Sequence, residues 1–94
     1  MNTMINKPKL AVIGIGYVGL PLAVSLSNFY QVKAFDLNKS RILNLKKNYD
    51  ITGEFSSSDL KKSKFIDFTS DQTDLFDTNI FFITVQTPIN KNHK

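Results

Sequence analysis

The sequence contains no cysteine, which excludes disulfide bonds, thiolate metal sites and a thiol nucleophile within this chain. No apolar run approaches the roughly 20 residues that a membrane-spanning helix needs. The polar leader Met1–Lys7 lacks the long apolar block of a signal peptide. The single histidine, His93, lies alone in a lysine-rich tail. We therefore expect a cytoplasmic protein with no membrane partner, and we find no pattern for a metal site or a catalytic base.

The charge balance is modestly basic, with a formal net charge of +4 from 12 basic and 8 acidic residues. A basic balance can indicate a nucleic-acid partner, but here the lysines are scattered and mostly flank predicted helix ends or the tail. They include Lys46, Lys47, Lys61, Lys62, Lys64, Lys91 and Lys94. We expect a solvated surface and no nucleic-acid partner, with a phosphate-seeking patch as the alternative.

The most informative stretch is residues 9–21, K-L-A-V-I-G-I-G-Y-V-G-L-P. Its apolar run followed by glycines predicts a buried strand, a tight turn and the start of a helix, with Gly14, Gly16 and Gly19 at the spacing G-x-G-x-x-G. Such glycines allow a sharp turn, a close approach of a diphosphate to the backbone, and close packing of helix on strand. The first amides of the helix have no intrahelical acceptor and can bind an anion. The alternative is a tight strand–helix turn with no ligand.

Hydrophobic patterning predicts four strands and several helices in the rest of the chain. The strands are expected over Leu10–Ile13, Gln31–Phe35, Phe65–Thr69 and Ile80–Val85, and the helices over Tyr17–Asn28, Lys39–Lys47 with Asn38 as N-cap, a short segment through Lys62, and a turn within Ser70–Asp77. This order predicts an α/β fold, a Rossmann-like parallel sheet of strand order 3-2-1-4 that is truncated after strand 4. We expect residues 1–8 to be a polar leader, 9–90 a partial dinucleotide-binding domain and 91–94 a polar tail.

The first helix is expected to bury one particular face. Val18, Leu22, Leu26 and Phe29 recur at helical spacing and predict that face. Pro21 lies about one turn into the helix and removes an amide, so we expect an irregular first turn. The fourth strand is apolar throughout and is expected to be central, whereas the alternating third strand is expected at an edge.

The residue that best indicates a nucleotide is Asp36, at the end of the second predicted strand and 17 residues after Gly19. A carboxylate at this position can accept hydrogen bonds from both hydroxyls of an adenosine ribose. It would also repel a 2′-phosphate, which favours NAD over NADP. Arg41, in the first turn of the next helix, could reach the adenosine or be solvated. Lys39 and Arg41 weaken the argument against NADP, because either could meet a 2′-phosphate.

Further candidates follow the fourth strand or lie in loops. Thr87 lies close to the point where strand order reverses, and ligands of open α/β sheets bind there; the alternative is a Thr-Pro turn that ends the strand. Tyr17, inside the glycine turn, could cover a cofactor or pack against the Thr87 loop. Asp50 and Glu54 lie in a loop that we expect to be flexible, with no partner of defined geometry.

Three segments together resemble the N-terminal part of the UDP-glucose/GDP-mannose dehydrogenase family. They are residues 14–23 (G-I-G-Y-V-G-L-P-L-A), residues 35–38 (F-D-L-N) with Arg41, and residues 85–88 (V-Q-T-P). The resemblance runs from Lys9 to Asn90, and the run Y-V-G-L-P is far more specific than the glycine spacing. Residues 50–54 and 68–71 are most similar to the branch that oxidises UDP-N-acetylhexosamines for capsule, Vi-type or O-antigen polysaccharide.

The resemblance implies NAD as the cofactor. Residues 14–19 would hold its diphosphate, Asp36 and Arg41 its adenosine ribose, and residues 85–88 its other flank. The implied cofactor-binding residues are Gly14, Ile15, Gly16, Tyr17, Val18, Gly19, Asp36, Arg41, Val85, Thr87 and Pro88. The family usually carries Pro or Asn where this chain has Gln86, a departure that affects loop shape more than chemistry.

The resemblance also implies a reaction, the NAD-dependent oxidation of C6 of a nucleotide-sugar to a carboxylate in two steps. The family's catalytic cysteine, its lysine and its sugar-binding domain lie beyond the end of this chain, so we expect these residues alone to be catalytically inactive. The alternatives are a stand-alone adenine-dinucleotide binding or sensing module, and a remnant with no activity. An exposed edge of the fourth strand, near Phe81 and Phe82, predicts self-association.

Overall fold

The computed structural model describes residues 7–84. Its elements are β1 (Leu10–Ile13), α1 (Gly19–Leu26), β2 (Val32–Phe35), α2 (Lys39–Lys46), α3 (Ser57–Lys62), β3 (Ile66–Thr69), a 3-10 helix (Gln72–Leu75) and β4 (Ile80–Ile83). The four strands form one parallel sheet in the order β3-β2-β1-β4, which confirms the predicted topology. The predicted site residues Val85, Thr87 and Pro88 lie outside the described residues.

The core lies on one face of the sheet because the strands pair in register with their apolar side chains aligned. The aligned residues on this face are Leu10, Val32, Ile66 and Ile80 in one row and Val12, Ala34, Phe68 and Phe82 in the next. Side chains of all three α-helices join the same core cluster, namely Leu20 and Ala23, Ile42 and Leu45, and Leu60. One contiguous core therefore fixes the helices relative to the carboxyl ends of the strands.

Strand β4 differs from the prediction of a central position. Within residues 7–84 it pairs only with β1, so it is an edge strand of the described sheet. Phe81 and Ile83 lie on the face opposite the core and are 48% and 73% exposed. Among the residues that the structure describes, β4 is thus exposed on one face and unpaired along one edge.

The face of α1 predicted from hydrophobic spacing is confirmed at two of its four residues, Leu22 and Leu26, which are partly buried and pack against the core. The residues of α1 that are buried are Gly19, Leu20 and Ala23, whereas Val18 and Phe29 are exposed. The helix begins at Gly19 and ends before Phe29, and small residues let it lie close to the sheet. Pro21 is the third helical residue, where an N–H would have no intrahelical acceptor, so it fits there without loss of a bond.

The helices over residues 7–84 are short. The two longest, α1 and α2, have 8 residues each, and none in this range has the length and apolar character needed to cross a membrane.

Candidate functional site

The glycine turn leaves β1 through a backbone conformation that favours glycine. Gly14 has a φ of +95° and its N–H donates to the carbonyl of Phe35 over 2.8 Å, which ties the turn to β2. A Cβ at Gly14 would lie 2.7 Å from Oγ1 of Thr84 and 3.0 Å from the Thr84 carbonyl oxygen. Any larger residue would therefore be strained by its backbone angle and would also collide with the end of β4.

Gly19 is required for the close approach of α1 to this turn. A Cβ built at Gly19 would lie only 1.7 Å from the carbonyl oxygen of Gly14. The first residue of α1 thus packs directly against the carbonyl of Gly14, the first residue after β1, which places the start of the helix at the carboxyl end of β1.

The start of α1 presents unpartnered amides. Val18 is the N-cap and makes no side-chain capping bond, and the first turn holds no acidic residue. The N–H groups of Gly16, Tyr17 and Val18 donate to no acceptor among residues 7–84. Tyr17 and Val18 are exposed at this point. Free amides at the positive end of a helix dipole form a place where an anion is stabilised.

Asp36 lies beside the turn at the carboxyl end of β2. Its Oδ2 accepts a hydrogen bond from the N–H of Ile15 over 2.8 Å, and its Oδ1 accepts from the N–H of Asn38, also over 2.8 Å. Each carboxylate oxygen keeps further accepting capacity. Asp36 therefore fixes the turn and can still accept hydrogen bonds from a ligand.

Arg41 binds the carbonyl group of the same residue, Ile15. Its Nε donates to the carbonyl of Ile15 over 2.8 Å, and α2 positions it as the third helical residue, with the Asn38 side chain capping its N–H. Nη2 of Arg41 is buried with no hydrogen-bond partner among the described residues. Asp36 and Arg41, predicted to share the adenosine ribose, are thus brought together on Ile15, whose N–H and C=O are both held by side chains.

Asp50 corrects the prediction of a loop carboxylate without a defined partner. It forms an ion pair with Arg41, with Nη1 2.7 Å from Oδ1, and its side chain is 0% exposed. The same carboxylate accepts hydrogen bonds from the N–H and hydroxyl of Thr52 and from the N–H of Phe55. The loop after α2 is therefore ordered around a buried charge.

Two opposing effects set the pKa of Asp50. Burial favours the neutral form, but hydrogen bonds from Thr52 and Arg41 outweigh it and hold the pKa below its ordinary value of 3.8. The carboxyl is therefore ionised at neutral pH. Because its pKa is lower in the folded chain, the stability that it contributes is present at neutral pH and is lost as the pH falls below 3.8.

Thr84 is a residue of this site that the sequence reasoning missed. Its hydroxyl donates to the carbonyl of Gly14 over 2.7 Å and lies 3.1 Å from the carbonyl oxygen of Ile13. It holds the end of β4 against the glycine turn. The signal available in the sequence is a threonine at the end of the apolar run of the fourth strand.

Lys39 lies apart from the turn. It lines a cavity of about 670 Å³ at the carboxyl ends of β2 and β3, together with residues that include Lys46, Asp71 and Asp74. The lining does not include the glycine turn, Asp36 or Arg41. The described part of the predicted site is therefore one cluster made of the turn, Asp36, Arg41 and two additions, Asp50 and Thr84.

Comparison with known proteins gives a family match over residues 8–94, to the UDP-glucose/GDP-mannose dehydrogenase family, NAD binding domain. The UDP-N-acetyl-D-glucosamine 6-dehydrogenase of Salmonella typhi is 45% identical over 86 residues, which are 92% of this chain and 20% of that protein. Protein CapL of Staphylococcus aureus is 47% identical over 85 residues, which are 90% of this chain and 20% of the length of CapL.

Solved structures of nucleotide-sugar dehydrogenases superpose on the fold described above. The UDP-D-ManNAc dehydrogenase of Pyrococcus horikoshii superposes with a TM-score of 0.76 at 30% identity, over 87% of this chain and 21% of that one. The GDP-mannose dehydrogenase of Pseudomonas aeruginosa, solved as a ternary complex, gives 0.74 at 25% identity, over 90% of this chain and 21% of its own. The chain spans about a fifth of the length of the relatives that it matches.

Proposed function

The chain belongs to the UDP-glucose/GDP-mannose dehydrogenase family, and from this premise we propose that residues 14–19 bind the diphosphate of the family's cofactor, NAD. The observation that carries the proposal is the set of unpartnered amides of Gly16, Tyr17 and Val18 at the start of α1. They lie at the carboxyl end of β1, where α/β sheets bind nucleotides. The absence of an acidic residue from the first turn of α1 favours an anion there.

Asp36 and Arg41 are proposed to hold the adenosine ribose. Both oxygens of Asp36 are used once by backbone N–H groups and can accept further hydrogen bonds from ribose hydroxyls. Nη2 of Arg41 is a donor with no partner among residues 7–84. Tyr17 is exposed and could cover the bound nucleotide. The other flank is assigned to Val85, Thr87 and Pro88 on the resemblance alone.

The reaction of the whole protein is proposed to be oxidation of C6 of a UDP-N-acetylhexosamine to a carboxylate. NAD supplies the hydride acceptor for such a reaction, and the residues of this chain bind and orient it. Support for the sugar comes from the Salmonella typhi relative, which is a UDP-N-acetyl-D-glucosamine 6-dehydrogenase. We expect the 94 residues alone to bind NAD without oxidising the sugar, because they contain no cysteine. A cytoplasmic location stays a prediction.

Calorimetric titration of the 94-residue chain with NAD, NADP and ADP-ribose tests the proposed site, with circular dichroism to establish that the sample is folded. NAD and ADP-ribose are expected to bind, and NADP to bind more weakly. Asp36→Asn is expected to weaken NAD binding about tenfold through loss of charged acceptor oxygens. Asp67→Asn, an equal charge change at an exposed carboxylate of β3, is the matched control.

Three outcomes contradict the proposal. Failure of all three ligands to bind the folded chain at millimolar concentration contradicts nucleotide binding by these residues. Binding of NADP in preference to NAD contradicts the role of Asp36. Equal effects of Asp36→Asn and Asp67→Asn contradict a specific contact at Asp36.

A further inference from the structure

The Arg41–Asp50 pair is unlike the other ion pairs of residues 7–84. Arg41 and Asp50 have side chains that are 7% and 0% exposed, whereas Lys9–Asp77 and Lys33–Asp67 are 30–70% exposed. A buried charge is tolerated when it is paired and hydrogen-bonded, and removal of one partner leaves the other charge uncompensated. Arg41, proposed above to reach the nucleotide, therefore has its charge neutralised by a loop that lies outside the glycine turn.

Asp50 is itself held in place. Thr52 donates to it with both N–H and hydroxyl, over 3.0 and 2.7 Å, and Phe55 donates over 3.0 Å. The Phe55 side chain packs against the hydrophobic core. A carboxylate anchored in this way keeps the guanidinium in the orientation in which Nε bonds the carbonyl of Ile15.

From this geometry we infer that Asp50 is a positioning residue through which the site rejects a nucleotide with a 2′-phosphate. Asp50 neutralises Arg41 and keeps it on the glycine turn, so that Asp36 supplies the one net negative charge beside the ribose. A free 2′-hydroxyl can donate to that carboxylate, whereas a phosphate is repelled by it. The inference rests on the proposed NAD site and assigns its selectivity to a residue that does not contact the nucleotide.

The variant Asp50→Asn tests this inference in the 94-residue chain. It removes the negative charge, so Arg41 is no longer neutralised. The summed charge of Asp36, Arg41 and residue 50 then rises from −1 to zero. The ratio of the NADP dissociation constant to that of NAD is expected to fall about tenfold. Tenfold in affinity corresponds to about 1.4 kcal/mol, a size that the interaction between two charges near a protein surface can reach. A role in stability alone would weaken both ligands by the same factor and leave the ratio unchanged.

Two matched variants separate charge from structure. Asp50→Glu keeps the charge and is expected to keep the ratio of the native chain. Asp67→Asn removes an exposed carboxylate that pairs with Lys33, and it is expected to leave the ratio unchanged. A shift in the ratio with Asp67→Asn as large as that with Asp50→Asn would overturn the inference, because the effect would then be one of net charge.

A double variant keeps the inference testable if Asp50→Asn does not fold. Arg41→Gln with Asp50→Asn replaces the buried ion pair by neutral groups, and Asp36 again supplies one net negative charge. The NADP-to-NAD ratio is then expected to equal that of the native chain. A larger ratio than that of the native chain would show that Arg41 attracts the 2′-phosphate in the native chain, and this result would overturn the inference.

The failure of this inference and the failure of the proposed function give different results. If the native chain, folded by circular dichroism, does not bind NAD at millimolar concentration, the proposed function fails. If the native chain binds NAD, and folded Asp50→Asn has an unchanged ratio, only the selectivity assigned to Asp50 is lost.

Discussion

At the scale of single residues, the carbonyl of Gly14 is the point on which the site converges. The Thr84 hydroxyl donates to it from β4 over 2.7 Å, and Gly19 approaches it so closely that a Cβ would lie 1.7 Å away. One peptide group thus joins the turn, the residue that follows β4 and the first residue of α1. Its position therefore requires a residue without a Cβ at position 19.

Gly19→Ala is expected to destabilise the chain by about 3 kcal/mol, at the upper end for overpacking, because the collision is with backbone that cannot rotate away. NAD binding is expected to weaken as the turn shifts. Gly53→Ala is the control: it has a φ of +78° with nothing within 4 Å of its Cβ, so only backbone strain of about 1 kcal/mol is expected. Urea unfolding measures the stability of both variants. A loss of stability in Gly19→Ala that is no greater than the loss in Gly53→Ala would contradict this account.

The residues that the sequence could predict are those whose role depends on chain neighbours. Gly14 and Gly19 follow from their spacing within one strand–turn–helix unit. Thr84 and Asp50 could not be predicted in the same way, because their partners are set by the packed fold. Thr84 meets Gly14 across 70 residues of chain only because β4 lies beside β1. Asp50 meets Arg41 because the chain turns back after α2 through Asn48, whose φ is +63°.

At the scale of elements, α2 connects the core to the site. Ile42 and Leu45 bury one side of the helix in the core, and its first turn carries Arg41 to the glycine turn. Asn38 was predicted as the N-cap, and the structure confirms it: the side-chain oxygen accepts from the N–H of Arg41 over 3.1 Å. The position of Arg41 therefore depends on how well this first turn is held.

Asn38→Ala is expected to reduce stability by about 1 kcal/mol, the usual cost of losing a side-chain cap. It should also weaken NAD binding, because the turn that carries Arg41 frays. Ser40→Ala is the matched control, since Ser40 is exposed in the same helix turn and alanine is the better helix former. Thermal unfolding and NAD titration of both variants measure the effect. Equal stability of the two variants would show that the cap does not hold α2.

Helix α1 shows how far the buried face of an element can be predicted from sequence. Leu22 and Leu26, at helical spacing, pack against the core as predicted, but the fully buried residues of the helix are Gly19, Leu20 and Ala23. Small residues allow the closest approach of backbone to backbone, and a search for large apolar residues overlooks them. The existence of the helix was predictable from periodicity, whereas the face that it buries depends on the glycine that begins it.

At the scale of the whole molecule, the described sheet is covered unevenly. Residues of all three α-helices pack into one core cluster, while Phe81 and Ile83 on the opposite face of β4 are largely exposed. The outer edge of β4 has no partner strand within residues 7–84. An unpaired edge beside exposed apolar side chains favours pairing with another strand.

The 94-residue chain is accordingly expected to self-associate through β4, so that its mean mass in sedimentation velocity rises with concentration. Phe81→Lys places a charge on the exposed face of β4 and should keep the chain monomeric at concentrations where the native chain associates. Phe76→Lys makes the same substitution at a side chain that is 95% exposed and lies outside the sheet, so it should associate like the native chain. Equal effects of the two variants would show that association depends on general surface charge. A native chain that stays monomeric at all concentrations would contradict association through the edge of β4.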